Sequence, residues 1–237
     1  MSKRFKGKTC VYCGIPGTAQ TGDHVFAREF FSKDRRADLP KVPACEPCNR
    51  QKSELEHYLT TVLPFASQHS EASELFVSKT PERLARNVKL HRELAAGQGR
   101  VMIRERGASS SRMTIPFEGE RLAALFRMVL RGLVAHHWNV LVPQDHFVGA
   151  GFLAKTGDTF MRHLFLMNTN QQIRRTLGDG LVLYEGVQAI DDPAFTIWRF
   201  QLYGGTLVVG DPDVPEAVSD IWAMSAGTPV PGLFDAK

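Results

Sequence analysis

Three segments between residues 10 and 63 decide the fold of this chain: CVYCG (10–14), GDHVFAREFF (22–31) and VPACEPCNRQKSELEHYL (42–59). They contain all four cysteines of the 237-residue sequence, arranged as two C-x-x-C pairs separated by 31 residues. A tight turn lets both thiolates of a pair face one ion, and two such pairs form the four-sulfur set of a structural zinc site. A redox dithiol would need only one pair. We therefore predict one structural Zn²⁺ held by Cys10, Cys13, Cys45 and Cys48.

An Asp-His dipeptide lies between the two cysteine pairs. Asp23 and His24 are followed by apolar residues, which predicts a short strand. After the second pair, apolar residues recur at helical spacing, which predicts a helix that begins at residue 46 or 47 and ends before Pro64. Asn49 then lies in the first helical turn, next to a zinc ligand. The zinc site would fix this helix start against the strand that carries the dipeptide.

Together, C-x-x-C-G, Asp-His-Val and C-x-x-C-N-x-x-K resemble the HNH endonucleases, also called the His-Me finger or ββα-metal group. The resemblance covers residues 10 to about 60. It implies an N-terminal ββα-metal core in which zinc holds the fold, while Mg²⁺ or Mn²⁺ serves the hydrolysis of a nucleic-acid phosphodiester. By this resemblance His24 is the general base, and Asp23 and Asn49 are ligands of the second metal, because Mg²⁺ prefers hard oxygen donors.

One position departs from the family pattern. Many members carry an Asn a few residues before the second cysteine pair, where it steadies the loop of the catalytic His, and this chain has Pro40 or Lys41 there. Asp38 or a backbone carbonyl could substitute for it. His57 follows Asn49 by eight residues, which is about 12 Å along a helix and too far for one ion to bridge. We therefore expect His57 to be a surface or packing residue.

Charge is distributed unevenly along the chain. Residues 1–113 carry 20 Lys and Arg against 12 Asp and Glu, a net of +8, whereas residues 114–237 carry 9 against 13, a net of −4. A basic half suits a polyanionic partner, and a solvated basic surface is the alternative. The residues predicted to contact DNA are Arg28, Lys33, Arg35, Arg36, Lys41, Arg50 and Lys52. For Lys52, a structural role is the alternative.

The sequence predicts an α+β protein with the nuclease core in residues 1–66 and a second α+β domain in residues 67–237. Helices are predicted at 71–79, 81–96 and 119–138, and strands at 101–103, 113–115, 160–167, 181–184, 195–203 and 206–209. The long helix 119–138 carries an apolar stripe, on which we expect a small antiparallel sheet to pack. Its last histidines, His136 and His137, face about 100° apart on a helix, which favours packing roles over metal binding. From residue 227 onward we expect an extended tail.

Targeting signals and partners follow from the same sequence. The basic N-terminus lacks the apolar run of a signal peptide, and no segment reaches the roughly 18 apolar residues that span a membrane. We expect a cytoplasmic protein that binds DNA and no membrane, with a homodimer or protein partner through the C-terminal half. Three functions are considered: a DNA endonuclease, a zinc-dependent nucleic-acid-binding module with a decayed nuclease centre, and a zinc-held interaction subunit.

Overall fold

The structure, a computed structural model, describes residues 4–67, 69–105, 108–168, 171–208 and 217–234. Its helices are α1 Glu46–Val62, α2 Ser70–Arg86, α3 Val88–Ala96, α4 Gly119–Trp138 and α5 Lys155–Met167. Its strands are β1 Thr21–His24, β2 Lys41–Ala44, β3 Gly99–Glu105, β4 Ala108–Thr114, β5 Phe147–Phe152, β6 Gln172–Leu177, β7 Val182–Gln188, β8 Thr196–Leu202, β9 Thr206–Val208, β10 Ala217–Ser219 and β11 Ile221–Ala226. Helices and antiparallel sheets occur together, so the predicted α+β class is confirmed.

Strands β1 and β2 form an antiparallel pair that leads directly into α1. His24, the last residue of β1, lies opposite Lys41, the first residue of β2. Helix α1 begins immediately after Cys45 and ends at a short 3₁₀ turn that contains Pro64. The predicted boundaries of this helix are therefore confirmed.

Helices α2 and α3 divide at a different residue from the one predicted. The sequence signal at Thr80-Pro81 suggested a helix start, but α2 continues through Pro81 to Arg86. The break falls at Asn87, whose side-chain oxygen accepts a hydrogen bond from the backbone N–H of Leu90. An Asn in this position satisfies one of the donors left free at a helix N-terminus, and this cap starts α3.

The predicted strands 101–103 and 113–115 are present, pair with each other and are longer than expected. Strands β3 and β4 pair from Gly99 opposite Thr114 to Glu105 opposite Ala108. Ile115, which was predicted to belong to the second strand, follows its end. The turn at 106–107 lies outside the described residues.

Helix α4 is the central element of the hydrophobic core. Its apolar stripe is completely buried, as predicted, and comprises Leu122, Leu125, Phe126, Val129, Leu130, Leu133 and Val134. Gly132 lies on the same helix, and a Cβ atom added there would approach a Val25 methyl group to 3.0 Å. The missing side chain therefore lets the segment that follows β1 pack closely against α4.

The larger antiparallel sheet has the strand order β5-β11-β8-β7-β6 and packs on α4. The rings of Phe126 and Phe200 meet with centroids 4.9 Å apart. Phe26, just after β1, lies 5.3 Å from the ring of Tyr184 and 6.2 Å from that of Phe200. The cysteine-bearing segment and the sheet thus contribute side chains to one hydrophobic cluster.

One predicted strand is a helix. Residues 160–167 were predicted to be extended, but they form most of α5. Arg162 pairs with Asp158 one turn earlier, and Met161 is fully buried against the apolar cluster that includes Trp222. A short apolar run does not distinguish a strand from a buried helix by its periodicity, and here the tertiary contacts decide.

The prediction of the other strands was also incomplete. The prediction omitted β5, β6, β10 and β11, while the predicted strands 181–184 and 195–203 correspond to β7 and β8. The predicted strand 206–209 corresponds to β9, which pairs with β10, and its last residue lies outside the described residues. The expected tail after residue 226 is wrong in part, because Leu233 and Phe234 pack on a second hydrophobic cluster.

No helix in the described ranges combines the length and apolarity that crossing a bilayer requires.

Candidate functional site

The four cysteines converge at the junction between the β1-β2 pair and α1. Their sulfur atoms all lie within 4.8 Å of one another, and the Sγ atoms of Cys13 and Cys45 are 3.8 Å apart. A tetrahedral zinc site with Zn–S bonds of about 2.3 Å has sulfur–sulfur edges of about 3.8 Å. The cluster therefore fits a tetrahedral metal ion such as Zn²⁺ with little rearrangement.

Local backbone geometry produces this convergence. The N–H of Gly14 donates to the carbonyl of Cys10 at 2.8 Å, and Gly14 has a φ of 70°, which closes the first turn. In the second pair, Cys45 is the N-cap residue of α1, and the N–H of Asn49 donates to its carbonyl at 3.0 Å. One pair thus lies on a tight turn and the other lies on a helix start.

Without a cation, the thiols of this cluster differ in how readily they ionise. Burial opposes ionisation of Cys10, but hydrogen bonds from the backbone of Cys13, Cys45 and Tyr12 outweigh it and lower the pKa of its thiol. Burial raises the pKa values of the Cys45 and Cys48 thiols. A metal ion among the four sulfur atoms would compensate the charge of the thiolates and favour the deprotonated form of all four.

Lys52 links α1 to the Asp-His dipeptide. Its side chain is 0% exposed, and its Nζ donates to the carbonyl oxygen of His24 at 2.7 Å. The same Nζ pairs with Oδ2 of Asp23 at 3.1 Å and with Oε1 of Glu56 one turn further along α1. The predicted phosphate contact of Lys52 is therefore wrong, because a buried ammonium with these three partners has a structural role.

The carboxylate of Asp23 lies within this cluster. Its Oδ2 accepts a hydrogen bond of 2.5 Å from the hydroxyl of Tyr12, one of the two residues between Cys10 and Cys13. Burial, together with the charge of Asp23, raises the pKa of Tyr12 well above its usual range, so the phenol remains a donor. Burial also raises the pKa of Glu56, while Lys52 opposes this rise. Asp23 is therefore contacted from both cysteine pairs: by Tyr12 from the turn of the first pair, and by Lys52 from the helix that begins at the second.

His24 is half-buried at the end of β1. Burial, followed by the positive charges of Lys41 and Arg28, lowers the pKa of its imidazole. A lowered pKa keeps the ring neutral at pH 7, and a neutral imidazole can accept a proton. The peptide that follows it is fixed, because the N–H of Val25 donates to the carbonyl of Pro40 at 2.8 Å.

Asn49 lies on a neighbouring surface. It lines an open groove along α1 together with Ser53 and His57, and the other side of the groove includes Arg86 and Asn87. Asp23 and His24 are absent from the described residues that line this groove. Lys52 thus contacts both Asp23 and His24. Asn49 lies in the first turn of the same helix, α1, and this turn connects it to the two residues. His57 is exposed, as expected for a surface residue.

The remaining residues predicted to contact DNA differ in how available they are. The exposed ones are Arg28, Lys33, Lys41 and Arg50. Arg36 is half-buried and pairs with Glu29, while Arg35 pairs with Asp179 in the loop before β7. Arg28, Lys33 and Lys41 can meet a phosphate directly, whereas the guanidinium groups of Arg35 and Arg36 already have acidic partners. The exposed Arg50 also pairs with an acidic residue, Glu46, at 2.9 Å.

Two members of the buried cluster were not predicted from the sequence. Glu56 had a usable signal, since it follows Lys52 by four residues and such pairs meet on a helix. Tyr12 had none, because its contact with Asp23 depends on how the cysteine turn is placed against β1.

His137 lies in the last turn of α4 and shares a hydrogen bond of 3.0 Å with the hydroxyl of Tyr184, in agreement with the predicted packing role.

Comparisons with protein-family models, with curated proteins and with solved structures found no match for this chain.

Proposed function

We propose that this protein is a metal-dependent endonuclease of the HNH type that hydrolyses phosphodiester bonds in DNA. The observation that carries the proposal is the contact between Lys52 and the Asp23-His24 dipeptide, next to the four-cysteine cluster. Sequence motifs that are separated by more than 20 residues meet in space, as expected for a ββα-metal core. Zn²⁺ in the cysteine cluster would hold the β1-β2 pair to α1 without taking part in chemistry.

The chemical roles follow from the state of each side chain. His24, which the lowered pKa keeps neutral at pH 7, would accept a proton from the attacking water. Asp23 and Asn49 offer the oxygen atoms that would hold Mg²⁺ or Mn²⁺, and this ion would offset the negative charge that develops at the phosphate. The exposed side chains of Arg28, Lys33 and Lys41 would contact neighbouring phosphates.

The second half of the chain has a different role in this proposal. Residues 67–237 would select the target, form a homodimer or bind a protein partner. The net charge of −4 over residues 114–237 makes that part of the chain a poor primary surface for DNA.

The proposal is tested by incubating supercoiled plasmid with zinc-loaded protein and Mg²⁺ or Mn²⁺. The protein is expected to nick or linearise the plasmid, and His24→Ala is expected to abolish cleavage while zinc content and fold are retained. His91→Ala is a matched control, because His91 is an exposed histidine of α3. Cleavage that survives in His24→Ala would refute the assigned general base.

A second candidate is a zinc-stapled nucleic-acid-binding module whose nuclease centre has decayed. It is favoured by the position of Asn49 in a groove that Asp23 and His24 do not line. In that case the wild-type protein would bind DNA with a steep salt dependence and would cut nothing with either metal. Measuring binding and cleavage on the same DNA at several salt concentrations separates the two candidates.

A further inference from the structure

We propose that Lys52 is the positioning residue that aims His24, in place of the middle Asn that the HNH pattern would supply. This inference rests on the proposed function, since it assigns a role within the same site. It adds a residue that acts through the backbone of the general base and touches no substrate.

The ammonium group of Lys52 is fully committed. A lysine ammonium has three N–H donors. Here the ammonium donates hydrogen bonds to the carbonyl oxygen of His24 and to Oε1 of Glu56, and it forms an ion pair with Oδ2 of Asp23 at 3.1 Å. With its side chain 0% exposed, Lys52 has no water to compete for these donors. Its position relative to β1 is therefore fixed.

The peptide between His24 and Val25 is held at both ends. Lys52 donates to its carbonyl oxygen at 2.7 Å, and its N–H donates to the carbonyl of Pro40 at 2.8 Å. Fixing both polar groups of one peptide fixes the backbone torsions beside it, and these determine where the His24 side chain starts. Pro40 lies at one of the two positions where the middle Asn was expected. The carbonyl of Pro40 and the ammonium of Lys52 would therefore together replace that Asn in positioning His24.

The cysteine cluster sets where Lys52 is. Lys52 follows Cys48 by one helical turn, so a metal that fixes the start of α1 also fixes the base of this side chain. On the other side of the cluster, Tyr12 lies between Cys10 and Cys13 and donates to the same Oδ2 of Asp23. The metal site is thereby connected to both members of the Asp-His dipeptide.

The experiment separates positioning from general stabilisation by comparing a single and a double variant. Lys52→Met leaves two carboxylates in the cluster without their cation, whereas Lys52→Met/Glu56→Gln also removes one of these charges. We expect the double variant to regain most of the lost stability. We also expect its kcat for plasmid cleavage to stay about 10- to 100-fold below wild type, with KM unchanged, because a displaced base slows the reaction without weakening DNA binding.

The control makes the same two substitutions in an exposed Lys–Glu pair. Lys89→Met/Glu93→Gln makes the equivalent change in an exposed pair of α3 and should leave stability, kcat and KM as in the wild type. If the Lys52→Met/Glu56→Gln variant recovers wild-type kcat together with its stability, Lys52 is only structural and the inference is wrong.

A measurement independent of cleavage covers the case in which the wild-type protein does not cut DNA, which would count against the proposed function itself. NMR of the zinc-loaded protein reports the carbonyl ¹³C shift of His24 and its χ1 rotamer through three-bond couplings. In the double variant, a shifted carbonyl signal with an averaged χ1 would support positioning by Lys52. An unchanged rotamer would overturn it, whether or not the protein is a nuclease.

Discussion

Removing the metal from the four-cysteine cluster is expected to unfold the N-terminal part of the chain before the sheet. The perturbation is a chelator at neutral pH, or Cys13→Ser, which replaces one sulfur of the set. Strands β1 and β2 have only four residues each, and an isolated two-stranded pair is marginally stable at best. Without the metal, the pair keeps the contact between β1 and the buried Lys52 of α1 but loses its cross-link to the first turn of that helix.

The magnitude follows from the geometry of the cluster. Sulfur atoms within 4.8 Å of one another need to move by about 1 Å or less to reach the edges of a tetrahedral zinc site, which are about 3.8 Å long. The site is therefore nearly preformed, and binding should recover most of the roughly 10–16 kcal/mol that structural zinc sites supply. That is comparable with the whole stability of a typical domain, about 5–15 kcal/mol.

The assay combines metal analysis with hydrogen exchange. Purified protein should contain one zinc per chain, and chelation should remove amide protection from residues 21–50 while β7 and β8, in the larger sheet, remain protected for longer. Adding back Zn²⁺ should restore protection, whereas adding Mg²⁺ should not, since thiolates are poor ligands for a hard cation. Protein without bound zinc that keeps full protection in residues 21–50 would refute this reasoning.

Two further predictions concern the sheet and its packing on α4. A Cβ atom at Gly186 would lie 2.4 Å from the ring of Trp198, so Gly186→Ala should cost about 1–3 kcal/mol in urea unfolding. Gly227→Ala, where nothing lies within 4 Å, should change stability by less than about 0.5 kcal/mol, and an equal loss in both variants would contradict the packing argument. Burial, and then the charge of the neighbouring His136, lowers the pKa of His137 to about 4 from its ordinary 6.5. As the pH drops from 6.5 towards 4, His137 is therefore protonated in the unfolded chain before it is protonated in the folded protein. The stability of the wild type should fall over this range. His137→Gln should reduce this fall in the free energy of unfolding by about 1–2 kcal/mol, allowing for partial exposure of the ring. Identical stability–pH profiles for the wild type and His137→Gln would count against this prediction.

The elements that the sequence predicted well are those whose signal is local. The cysteine spacing indicated the four-cysteine cluster because a C-x-x-C turn brings its two sulfur atoms together without help from distant residues. Likewise, the stripe of α4 is continuous, and every residue in it is buried. A repeated apolar spacing of this length leaves no second interpretation.

The elements that were missed depend on distant contacts. All six residues of β11 are buried, so this strand lacks the alternation that marks a half-exposed strand. β6 lies at the edge of the sheet and carries Arg174 and Arg175, which disguise it as a polar loop. The 160–167 segment became a helix because Met161, Leu164 and Phe165 pack in the cluster that includes Trp222 and Met224 of β11, which the sequence alone did not reveal.

The contacts of Asp23 bear directly on the choice between nuclease and binding module. Both Tyr12 and Lys52 contact Oδ2, and a carboxylate has about four lone-pair sites over its two oxygens, so Asp23 retains capacity to bind a cation. The positive charge of Lys52 would weaken such binding, but the carboxylates of Asp23 and Glu56 outnumber it, so the ionised cluster has a net negative charge. A divalent metal would enter this site more readily than DNA phosphate would. The buried cluster is therefore better suited to a metal-dependent active centre than to a surface that only binds the DNA backbone.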